Sequence, residues 1–164
     1  MTQQLENGAP VDLQDLKREA EEEVLHEREA ALIKQLDEQR RKKRKLVDPL
    51  QYAFSAMDAK LAGYVPTFPW EQEQSTQEQR ERIEQRGIFA PSDMCSGQAT
   101  ALLQSLDDRV KKGLATPKQI RLLEQRGFRE VGSWSFDAAQ KMIARISANG
   151  WRVPSGIFVQ TYKP

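Results

Sequence analysis

Six consecutive basic residues, Arg40, Arg41, Lys42, Lys43, Arg44 and Lys45, are the densest chemistry in this 164-residue chain, and contact with phosphate is the work they suit. A protein that neutralises a phosphate backbone releases counterions, so local clustering of Lys and Arg governs binding. The formal net charge of +1 decides nothing by itself. Further cations lie late in the chain at Lys111, Lys112, Lys118, Arg121, Arg126, Arg145 and Arg152, and Trp151 offers a ring on which a base could stack. Lys118 follows Thr116 and Pro117 at a helix start, where backbone N–H groups and a lysine would point the same way. Each feature also has an ordinary reading: a basic run is a common solvated helix end, and late aromatics such as Trp151, Phe158 and Tyr162 commonly close a small core. These residues are the candidate contacts to DNA, with single and double strands both open.

Other chemistry finds little footing. Nucleophilic catalysis needs a base beside Ser or Cys, and the single histidine, His26, is far in sequence from the single cysteine, Cys95. His26 reads as a solvated helix residue and Cys95 as a small apolar or turn residue. One cysteine excludes an internal disulfide and any zinc site built on cysteine pairs. There is no G-x-x-x-x-G-K-S/T loop and no G-x-G-x-x-G after a strand, so nucleotide hydrolysis is not expected. The acidic run Glu19 to Glu23 is a solvated helix face. The expectation is a non-enzyme without cofactor or metal. No stretch approaches the roughly 18 apolar residues of a membrane span, which points to a soluble, cytoplasmic protein.

The elements that hold these residues follow from pattern. Residues 1–10 read as a flexible tail, and residues 11–46 as one long charged helix, capped by Asp12 or just before it, because Leu, Glu, Ala, Gln, Lys and Arg run there without Gly or Pro. Leu13, Leu16, Ala20, Val24, Leu25, Ala31, Leu32 and Leu36 give it a thin apolar stripe that needs a partner. Acid comes early and base late, as the helix dipole favours. Asp48-Pro49 breaks the pattern, and residues 47–74 read as a short helix ending near Gly63, followed by an extended connector, Tyr64 to Trp70, that two prolines keep from forming an ordinary helix.

Residues 75–154 carry an internal repeat. Shifted by forty positions, Ser75 to Ile88 falls on Ala115 to Phe128 without a gap, and Thr, Gln and Glu-Gln-Arg-Gly coincide. Thr76 and Thr116 stand where an N-cap should, with Gln79 and Gln119 three residues on to complete a capping box, and Gly87 and Gly127 fit the left-handed stop. A second helix follows in each copy: Ala99, Leu102, Leu103 and Leu106 align with Ala139, Met142, Ile143 and Ile146, with Ser96 and Ser135 as caps one position apart. Phe89, Pro91 and Met94 in one turn, and Val131, Trp134 and Phe136 in the other, would plug the gap between paired helices. The expected fold is all-α: a long N-terminal helix, then two helix-turn-helix units (75–112 and 115–151) packed as one small domain, and a tail at 155–164.

The segment Gly113 to Leu123, with Gly127-Phe128, Trp134 to Ala139 and Asn149-Gly150-Trp151, resembles the C-terminal region of phage and mobile-element DEAD/DEAH-box type (superfamily two) helicases. Val47 to Leu50 and Pro66 to Glu71 look like the stretch that joins that region to the motor, so the resemblance covers residues 46–154. It implies an accessory part acting on DNA or on a helicase motor. The motor's own motifs are absent, so unwinding does not carry over and the family supplies no catalytic residue. The rival expectation is a protein adaptor that docks a partner helix on the leucine stripe without touching nucleic acid.

Overall fold

The computed structural model describes residues 13–164, which fall into two compact units, residues 13–41 and 42–164. The expected tail at 1–10 and the Asp12 cap lie outside the described residues. All described residues are helical or irregular, with three isolated β-bridges and no strand among them, and the all-α expectation holds.

The first unit consists of α1 (Leu13–Lys45) up to Arg41. Good helix formers without a breaker sustain its 33 residues. Its described side chains are exposed along the whole helix, so exposed ion pairs such as Lys17–Glu21 at 4.0 Å add little to it.

The second unit begins with the last turn of α1. Asp48 then accepts from the amides of Leu50 (3.0 Å) and Gln51 (3.1 Å) and opens α2 (Pro49–Ser55), where Pro49 occupies a first-turn position that needs no N–H donor. Asp58 caps α3 (Ala59–Ala62) in the same way, and Gly63 ends it. The connector after Gly63 is extended only to Phe68. Pro69 then starts a one-turn helix, α4 (Pro69–Gln72), because the Glu71 carboxylate accepts from the amides of Phe68 (3.0 Å) and Thr67 (2.6 Å). Those two bonds hold its pKa below the ordinary carboxylate value.

The repeat follows as α5 (Gln77–Gln85), α6 (Ser96–Lys111), α7 (Pro117–Gln125) and α8 (Phe136–Ala148), with a 3-10 turn at Val131–Ser133. Both capping boxes form: the Gln79 and Gln119 amides donate to Thr76 and Thr116 hydroxyls, and the Thr amides donate back at 2.9 Å in each copy. Gly87 and Gly127 adopt φ of 94° and 93°. Ser135 caps α8, but the N-cap of α6 is Cys95, with Ser96 already helical. The two second helices therefore start in the same forty-residue register as the first helices. Each connector also brings its second helix back to start beside the first. Ser75 N donates to Met94 O (2.9 Å) and Ser96 N to Glu73 O (2.7 Å); Ala115 N donates to Trp134 O (2.9 Å) and Phe136 N to Gly113 O (2.8 Å).

Each repeat has its own core. Ile83, Ile88, Met94, Ala99, Leu102 and Leu106 of the first are covered by Val47, Tyr52, Ala53 and Leu61, which come from the stretch before Gly63 that the sequence reads as a short helix. Ile120, Leu123, Phe128, Val131, Trp134, Ala139, Met142 and Ile146 of the second are closed by Val153, Ile157, Val159 and Tyr162. The stretch 155–164, expected as a tail, thus packs on the second repeat, with Tyr162 5.8 Å from the Phe128 ring and 5.5 Å from Trp134. Of the expected plugs, Met94, Val131 and Trp134 are buried, whereas Phe136 is exposed.

Polar contacts join the two cores. Ser55 Oγ donates to Glu124 Oε2 (2.8 Å), and the buried Arg109 donates to the carbonyls of Ala115 (2.9 Å) and Gly132 (2.8 Å). Burial lowers the Arg109 pKa, yet a guanidinium keeps its proton in proteins. Gly132 lies so close to the Ser55 carbonyl that an added Cβ would overlap it. Gly132→Ala should therefore cost about 1–3 kcal/mol, the usual range for overpacking, read as a lower melting temperature. Gly63→Ala, whose Cβ would sit at an ordinary 3.5 Å from Ala59 O, should melt like the parent. Equal melting temperatures for both variants would contradict this packing.

Candidate nucleic-acid interface

The basic end of α1 is held in place by both repeats. Immediately after the helix, Val47 N donates to Gly87 O (2.8 Å) and Phe89 N donates to Val47 O (2.7 Å), a short parallel bridge to the first connector. Lys42 Nζ meets Glu84 Oε2 at 3.0 Å, and Lys43 Nζ lies 5.4 Å above the Phe89 ring centre, within cation–π range. From the second repeat, Arg121 donates to the carbonyls of Leu46 (2.7 Å) and Arg44 (3.1 Å). A helix leaves its last carbonyls without intrahelical donors, and a guanidinium supplies two at once.

Lys118 comes to the same place. Its aliphatic stem crosses Gly87, where a Cβ would stand 2.9 Å from Lys118 Cγ and Cε, while the residue as a whole stays exposed. Such a stem covers backbone and leaves the ammonium in water. Around the bridge at Val47 and Gly87 the fold therefore gathers Lys42 to Lys45, Lys118 and Arg121. Lys42 is neutralised by Glu84 and Arg121 is spent on carbonyls, so Arg44, Lys45 and Lys118 are the cations most available to a ligand. The helix start itself offers less than the sequence suggests. The cap takes the Gln119 and Thr116 amides, and Pro117 has none.

The other candidates lie elsewhere. Arg40 and Arg41 belong to the first unit, with Arg40 4.0 Å from Asp37. Lys111 and Lys112 end α6, with Lys111 3.8 Å from Asp108. Arg126 ends α7, Arg145 is in the last turn of α8, and Trp151 and Arg152 follow that helix. All four thus sit at or beyond the C-terminal ends of α7 and α8. Trp151 is half exposed with φ of 63°, held by its amide bonding Ile146 O at 2.9 Å.

Sequence reasoning missed Arg109 and Glu84, and it read Phe89 only as a plug between helices, not as the ring beneath Lys43. For Arg109 a signal existed: it continues the core positions Leu102 and Leu106 at helical spacing, and an arginine on a core face must find carbonyls. His26 is an exposed residue 4.0 Å from Glu29, and Cys95 is a half-buried N-cap. Among the described residues no group of three or more His, Cys, Asp or Glu could hold a metal ion, and no helix is long and apolar enough to cross a membrane.

No protein-family model, no curated protein and no solved structure matches this chain.

Removing the Arg121 guanidinium leaves two carbonyls of the α1 end without these donors. Arg121→Ala should cost about 1–3 kcal/mol and speed hydrogen exchange at the Leu46 and Val47 amides, relative to those of α8. Unchanged exchange at both amides would show that the clamp does not hold the helix end.

Proposed function

We propose that residues 42–164 form a non-catalytic nucleic-acid-binding module, an accessory part that works beside a superfamily-two helicase motor in a phage or mobile-element DNA-processing system of the cytoplasm. The observation that carries this reading is the junction where Val47 N, just past Arg44 and Lys45, bonds Gly87 O while the Lys118 stem crosses Gly87. A duplex presents about one negative charge per 1.7 Å of its axis, so three cations on one rigid support can meet neighbouring phosphates without first being ordered. The helicase context is what the resemblance over residues 46–154 adds. DNA is the ligand, with the motor domain as a second partner.

A specific observation also favours the adaptor reading. Val24, Leu25, Leu32, Ile33 and Leu36 are 45–60% exposed on α1, and exposed leucines on a helix suit a protein partner.

Arg44→Gln, Lys45→Gln and Lys118→Gln together should weaken binding to any DNA sequence and flatten the slope of log K against log salt by up to about 0.9 per lost duplex contact. Gln is nearly as good a helix former as Lys or Arg, so circular dichroism should not change. Lys141→Gln serves as the control. If the parent chain binds neither single-stranded nor duplex DNA at about 50 mM salt, where electrostatic binding is strong, the nucleic-acid reading fails and the adaptor reading leads. ATP hydrolysis should equal the buffer blank with or without DNA.

A further inference from the structure

The apolar stripe of α1 lacks a cover, and the charge along the helix says what fits it. Leu25, Leu32 and Leu36 lie on one side at steps of seven and four residues, and they are 58%, 57% and 45% exposed. A helix that stands alone in water on ion pairs has no use for such a stripe. Residues 13–29 hold seven acidic and three basic residues, a net of −4, and residues 30–45 hold seven basic and two acidic, a net of +5. A parallel pair of these helices would set acid on acid and base on base. An antiparallel pair sets each half against its opposite.

We propose that α1 is a self-association element, on which a second copy of this chain docks its own α1 in the antiparallel direction. Leu25 of one copy then meets Leu36 of the other, with Leu32 next to the two-fold axis. In that register Glu22 of one copy lies beside Arg40 of the other on the flank of the stripe, while Arg28 and Glu29 interrupt the stripe and keep the association modest. Arg40 and Arg41 serve the pairing, so Arg44 and Lys45 stay available at each end. The two Lys42 residues are spaced about 35 Å apart along the pair.

Equilibrium sedimentation of the full chain, without nucleic acid, tests this independently of the proposed function. At about 100 µM chain and low salt the parent should be dimeric, and Leu25→Gln with Leu32→Gln and Leu36→Gln should be monomeric with unchanged helix content. Reversing only the acid (Glu21→Lys, Glu22→Lys, Glu23→Lys) or only the base (Arg40→Glu, Arg41→Glu) should weaken association at least about tenfold. Combining both reversals in one chain should restore the dimer, although that variant opposes the helix dipole more than either parent set. Only antiparallel pairing predicts this rescue. A monomeric parent, a dimer that survives loss of the three leucines, single reversals without effect, or a combined variant weaker than both would each overturn the proposal.

Discussion

Val47 exchanges two backbone hydrogen bonds with the first connector, and one residue earlier the Leu46 carbonyl receives the Arg121 guanidinium from the second repeat. The chain between these bonds belongs to neither repeat, and it fixes the end of α1 against both. Without it each repeat would still have a capped first helix and a second helix starting beside it. The basic residues at positions 42–45 would then have no set place relative to Lys118. The proposed site is thus a property of this joint rather than of either repeat.

The same logic recurs inside the second unit. Two small cores are each too thin to close alone, so each borrows a cover from flanking chain: residues 47–61 for the first, residues 153–162 for the second. Arg109 spans the gap between them by bonding two carbonyls of the second repeat from a helix of the first. A buried cation is tolerable there because several of its donors are satisfied at once. Tyr52 is sealed nearby, and burial raises its pKa above the ordinary tyrosine value. The unfolded chain would ionise that phenol first, so this contribution to stability is intact below about pH 10 and declines as pH rises further.

What the sequence made legible was local. Thr76 with Gln79 and Thr116 with Gln119 are satisfied within one helical turn, and Gly87 and Gly127 end their helices by backbone conformation alone. These need no knowledge of the rest of the fold. The core positions Ala99, Leu102 and Leu106 were legible for the same reason, through their spacing. What the sequence concealed depends on contacts between distant residues. Nothing near Arg121 marks it as the donor to a helix end 75 residues earlier. By residue type alone a cation looks free, and only geometry separates Arg121, spent on carbonyls, from the exposed Lys118. The sequence also treated residues 155–164 as a tail, because Ile157, Val159 and Tyr162 are too sparse to show a period.

The central claim, that phosphate meets this protein at the joint between its repeats, is tested most directly by amide chemical-shift mapping of the ¹⁵N-labelled full chain during titration with single-stranded and duplex oligonucleotides. Shifts concentrated at residues 42–47, 87–89 and 116–121 are the predicted result. Shifts confined to residues 145–152, or none at any residue, would contradict it.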